Sequence, residues 1–95
     1  MNKNQINLKF KTSITGLAGN PFGQSVYKEQ VAPKILHDEK NVIVFPEQIE
    51  DIAISFIQGF FKEIIDRYGY AKLREMIEVE AGNEFVVKKI WENIY

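Results

Sequence analysis

The sequence contains no cysteine and a single histidine. The first absence excludes disulfides, thiolate metal sites and cysteine nucleophiles, and it fits a reducing cytoplasm. One histidine among scattered acids cannot assemble a metal-ligand set or a nucleophile–base pair, so no metal, cofactor or turnover is expected. No run approaches the ~18 apolar residues of a membrane span, and "MNKNQINLKFKTS" has no apolar stretch of signal-peptide length. An excess of one charge is also missing: 12 basic against 13 acidic residues leave a net charge of −1. A nucleic-acid binder usually carries a basic surplus. The expectation is a cytoplasmic protein that binds neither membrane nor nucleic acid.

What is present is apolar. Hydrophobic residues make up 45% of the 95 and aromatics 13%, enough for the core of one domain spanning residues 1–95. So small a chain buries only about 60–65% of its unfolded surface, and a partner or a weak homodimer would add stability.

Hydrophobic spacing outlines the elements. "QINLKFKTSI" alternates, with Ile6, Leu8 and Phe10 on one side, as in a half-buried antiparallel or edge strand. "TGLAGNPFGQ" is a glycine-rich loop. A helix is predicted over 22–37, kinked or interrupted at Pro33. "VIVF" is continuously apolar, as in a central strand buried on both faces. Ala53, Phe56, Ile57, Phe60, Phe61, Ile64, Ile65 and Tyr68 place a long amphipathic helix over 53–68, closed near Gly69. "MIEVE" reads as a further strand, Asn83 as an N-cap, and Val86, Val87, Ile90, Trp91 and Ile94 as the stripe of a last helix. This alternation predicts an α/β fold, a small mixed sheet, or a largely parallel one, with helices packed mainly on one face.

Few residues suggest chemistry. Gly16, Gly19 and Gly23 precede a helix, where glycine loops can cradle anions, but the spacing is neither a P-loop nor G-x-G-x-x-G. A turn between strand and helix explains them equally. His37 suits a helix C-terminus. Glu47, Glu50 and Asp51 suit the start of the following helix. The aromatics at 56, 60, 61 and 91 match core spacing rather than a base-stacking platform.

Ser55 stands apart. At about 100° per residue it falls opposite the stripe centred on Ile57 and Ile64, and Gly59, Lys62 and Asp66 share its face. Serine at this point can serve as a helix cap. An exposed helical glycine costs about 1 kcal/mol relative to alanine, and a close partner on that face would account for Gly59.

"VIVFPEQIEDIAISFIQGFF" resembles the STAS-like domain family, relatives of anti-sigma-factor antagonists and of sulfate-transporter STAS domains. The shared pattern is a buried strand, an acidic-apolar link, and Ser-Phe opening a long helix. "FGQSVYKEQVAPKI" resembles the family's preceding helix, and the likeness spans residues 22–80. It implies a bacterial, non-enzymatic regulatory module that binds a protein through the first half of helix 53–68. It further implies phosphorylation at Ser55 by an ATP-binding partner, a histidine-kinase-type ATPase, or control through an anti-sigma factor. Family members often read Asp-Phe at Phe45-Pro46 and Asp-Glu at Gln58-Gly59, so the roles of those acids do not carry over. Two other readings stay open: a small-ligand or nucleotide sensor using the Gly16–Gly23 loop, and a small inhibitor that blocks a larger target.

Overall fold

The β-branched run in Lys40–Phe45 forms the middle strand of the sheet. In the computed structural model, which describes residues 3–94, the order is β1 (Lys3–Asn7), β2 (Gly16–Leu17), α1 (Asn20–Val26), β3 (Lys40–Phe45), β4 (Asp51–Ile52), α2 (Ile54–Met76), β5 (Ile77–Ala81) and α3 (Glu84–Glu92). The main sheet has the strand order β1-β3-β5, and β2 and β4 make a separate short pair. Every pairing is parallel. Of the alternatives left by the sequence, the sheet is parallel rather than mixed, and the first strand is an edge strand rather than an antiparallel one. A helix separates each main strand from the next, and such a crossover returns the chain in the same direction. β1 is an edge strand beside β3, in the register Ile6 to Ile43.

The sheet grows in one direction, β1 to β3 to β5. Right-handed crossovers then put α1 and α2 on the same face. Ile6, Ile43, Phe45 and Val79 point to that face and join one continuous apolar cluster with α2 and α3. Phe60 is its centre, fully buried and in ring contact with Tyr27, Phe45, Phe56 and Phe61.

The opposite face has no helix among the described residues. Val42 is 4% exposed yet lies outside the apolar cluster, and Val44 is half-buried. The expectation of a central strand buried on both faces thus holds for Val42, Ile43 and Phe45, and falls short only at Val44. The Lys3 ammonium reaches Glu78 at 2.9 Å. These residues belong to the two outer strands, so their bridge crosses the middle strand where Val42 lies. The register neighbours of Val42 on this face among the described residues are Gln5 and Glu78, long polar side chains whose stems can cover a valine while their ends stay in water.

The helices differ in detail from the spacing. Pro21 stands in the first turn of α1, where its missing N–H is harmless. The helix continues as a wide π-helical turn over Tyr27–Val31 and stops before Pro33. α2 breaks at Gly69, whose φ of 83° and ψ of 164° suit only a residue without Cβ. Helix then resumes over residues 70–76, which the sequence does not announce, and carries Leu73 and Met76 into the core. Asn83 caps α3, its side chain accepting from the Phe85 N–H at 2.9 Å.

Asn41 is the one buried polar side chain among the described residues. Its Oδ1 accepts from the Asn4 side chain at 2.8 Å and the Leu36 N–H at 2.9 Å. Its Nδ2 donates to the carbonyls of Leu36, Glu39 and Met76. One amide so ties β1, β3, the 34–39 turn and the end of α2.

Candidate functional site

The start of α2 is laced to the loop that leads into α1. The Thr15 carbonyl accepts from the Glu50 N–H and the Leu17 carbonyl from the Ala53 N–H, both at 2.7 Å. The next tie uses a side chain: the Ser55 hydroxyl accepts from the Gly19 N–H at 3.1 Å. Ser55 is exposed and stands in the first turn of α2. It does not cap its own helix. Ala53 occupies the N-cap position, without a side-chain bond, and Ser55 latches the neighbouring loop instead.

Gly59 departs from the sequence reading. It is buried, and a Cβ added there would lie 2.1 Å from the Asn20 carbonyl oxygen. Across the same contact a Cβ on Gly23 would lie 2.4 Å from the Phe56 carbonyl oxygen. α1 and α2 therefore cross backbone to backbone through Gly23 and Gly59. The close partner that the glycine implied is the chain's own α1. Glycine adds nothing to an apolar stripe, so the stripe marked the side of α2 facing the sheet and missed the side facing α1.

The glycine loop is likewise occupied by its own chain. Gly16 lies in β2 opposite Asp51. The Gly19 amide is held by Ser55, and the Gly23 amide by the Gly19 carbonyl at 3.0 Å. These amides do not converge on an anion cradle. Gly19 has φ 99°, a turn conformation that favours glycine.

Lys62 and Asp66 do reach solvent, but farther along α2, about 10 and 16 Å beyond Ser55 at the helical rise. They pair with each other at 2.6 Å, one turn apart, and this carboxylate raises the Lys62 pKa. Together with Pro21, Gln24, Lys28 and Tyr27 they line an open groove of about 530 Å³ between α1 and α2. Burial, and then the Glu63 charge, push the Tyr27 hydroxyl up to about 12. It stays a neutral hydrogen-bonding group at ordinary pH. Phe22 and Ile54, at the starts of the two helices, are 40% and 43% exposed.

The remaining candidates are dispersed. His37 is exposed, and its Nδ1 is hydrogen-bonded to the Tyr68 hydroxyl at the last turn before Gly69. Asp51 is exposed in β4. The Ile52 backbone N–H, followed by Lys89 at 3.3 Å, holds its carboxyl below the usual range. Glu47 and Glu50 are exposed on the same connection. Among the described residues no three His, Asp or Glu side chains are grouped to hold a metal, and no helix is long and apolar enough to cross a membrane.

Sequence reasoning missed Asn41 and Gln30. Asn41 shares the period-two row of Ile43 and Phe45, which was the available signal. Gln30 left none. Its side chain accepts from the Lys9 N–H at 2.7 Å and donates to the Lys9 carbonyl at 2.9 Å. Comparison of the chain with protein-family models, curated proteins and solved structures finds no match.

Proposed function

We propose that this chain is a non-enzymatic regulatory module of the STAS-like kind, and that a protein partner docks where the starts of α1 and α2 meet. The observation that carries the reading is the exposed Ser55 hydroxyl in the first turn of α2, bonded to the Gly19 amide of the adjoining loop. The likeness of "VIVFPEQIEDIAISFIQGFF" to STAS-like domains supports it. So do the half-exposed Phe22 and Ile54 at the same end, which offer apolar contact beside the Ser55 hydroxyl, while Lys62 and Asp66 extend the surface farther along α2.

Phosphorylation of Ser55 is the switch in this reading. A histidine-kinase-type ATPase, or an anti-sigma factor with that activity, transfers the γ-phosphoryl group of ATP to Ser55 Oγ. ADP leaves, together with the hydroxyl proton. The product adds about two negative charges to the first turn of α2, where the helix dipole favours them. The fold then tolerates the modification. The same charge replaces a neutral hydroxyl on the docking surface and disturbs the tie to Gly19. Gly59 has no part in the contact, being covered by α1.

The test is an affinity measurement on the partner recovered with the unmodified chain. Ser55→Asp is expected to weaken that complex at least tenfold, about 1.4 kcal/mol, with little change in melting midpoint. Ile54→Glu and Lys62→Glu should weaken it as well. If Ser55→Asp binds like the parent, Ser55 is no switch. If all three do, this face is not the interface.

A further inference from the structure

The two outer strands of the sheet have different edges. In β1 the Leu8 N–H turns inward to the Val44 carbonyl at 2.9 Å. Backbone groups alternate in direction along a strand, so Asn4 and Ile6 also face β3, while Lys3, Gln5, Asn7 and Lys9 face away. At Lys9 the outward N–H and C=O are both taken by the Gln30 side chain, which pairs with them as a neighbouring strand residue would. Among the described residues nothing pairs with the outward backbone of Lys3, Gln5 and Asn7, and all three are exposed.

The geometry points to these three residues as a self-pairing edge: a second copy of this chain adds its own β1 antiparallel to β1, about a two-fold axis at Gln5. In that register Gln5 faces Gln5 of the second copy, and Lys3 faces Asn7 of the second copy. Each is an outward-facing pair, so every open backbone group between Lys3 and Asn7 finds a partner. The Gln30 closure at Lys9 ends the ladder on both sides. The register places no like charges opposite each other. The axis stands perpendicular to the sheet, so the helices of both copies lie on one side and the bare faces become continuous.

β5 does not offer the same edge. Its outward residues are Ile77, Val79 and Ala81, and the Ile77 N–H is already bonded to the Leu73 carbonyl. A two-fold at Val79 would set Glu78 opposite Glu80 of the second copy, and directly opposed like charges destabilise a strand pair. The acids guard this edge. The interface at β1 is short, so the dimer is weak, and it leaves the Ser55 surface free.

Sedimentation equilibrium on the full chain, up to about 1 mM, tests this. The parent is expected to show a concentration-dependent monomer–dimer equilibrium. Gln5→Lys, which sets two lysines face to face, should raise the dissociation constant at least tenfold. Glu80→Lys, on β5, should change it less than twofold. Because the chain has no cysteine, Gln5→Cys gives a second readout. Facing Cα atoms about 5.5 Å apart suit a disulfide, so mild oxidation should yield a covalent dimer from Gln5→Cys and not from Glu80→Cys. A parent that stays monomeric throughout, or a dimer that Gln5→Lys leaves intact, would overturn the proposal.

Discussion

On the helix side of the sheet, Ile6, Ile43 and Val79 lie in one register row; on the other side the adjacent row is Gln5, Val42 and Glu78. The first row is sealed under the aromatic cluster of α2. The second has no helix over it among the described residues and is crossed by the Lys3–Glu78 bridge, whose side chains remain 57% and 41% exposed. Both rows bury their central residue, but by different physics. Under the helices, burial comes from close packing of fixed side chains. On the bare side, flexible chains that keep their charged ends in water supply it. Equal burial therefore does not mean equal contribution to stability.

Substitutions can break this contrast or sharpen it. The largest effect is expected for Phe60→Ala under the helices, about 3–5 kcal/mol for a fully buried phenylalanine, measured by denaturant unfolding. A loss below about 0.5 kcal/mol would show that the aromatic cluster does not hold the sheet. Gly59→Ala follows. Its new methyl meets the Asn20 backbone, not a yielding side chain, so the loss should reach about 3 kcal/mol, the upper end for overpacking. It should far exceed the helix-propensity gain of about 1 kcal/mol. If Gly59→Ala stabilises the fold, the two helices are not in backbone contact.

Tyr27 tests the rim of the helix layer through pH. Its hydroxyl is raised to about 12 in the folded chain, against about 10 when unfolded. The folded state thus holds a proton that the unfolded state releases. Stability is unaffected below about pH 10 and falls between about pH 10 and 12, by on the order of 2 kcal/mol. Tyr27→Phe should remove that part of the alkaline loss, seen as a shallower slope of unfolding free energy against pH. The smallest effect is expected on the bare side. Lys3→Ala breaks an exposed ion pair and should cost less than about 1 kcal/mol. A loss as large as that of Phe60→Ala would mean that the polar roof is a structural layer after all.

What could be read in the sequence follows the same division. The stripe from Phe56 to Ile64 and the run Val42–Phe45 were legible, because apolar spacing records where a close-packed layer lies. The roof over Val42 was not, because lysine and glutamate on a strand look alike whether they point to water or lean across a valine. Gly59 was misassigned to the surface because a residue without a side chain carries no hydrophobic signal, and a backbone crossing needs only its smallness. Helix 70–76 was hidden by Gly69, which reads as a terminus although helix resumes after it. At the candidate site, the exposure of Ser55 was legible from the helical period. Its bond to Gly19, 36 residues away, depends on how two loops meet and is not encoded locally.

The parallel connectivity also sets how the molecule comes together. Asn4 and Asn41, adjacent in the sheet, are 37 residues apart in the chain, and β3 meets β5 only after all of α2 has intervened. No hairpin exists among the described strands to start the sheet cheaply. Each strand pairing must wait for a long loop to close, a cost incurred before any contact rewards it. α1 and α2 can form early, but their glycine crossing juxtaposes elements on either side of β3, so it too awaits the long-range closure. Folding should therefore be a single cooperative event, slower than in helical bundles of this length, with the sheet and the helix crossing appearing together in time-resolved hydrogen exchange.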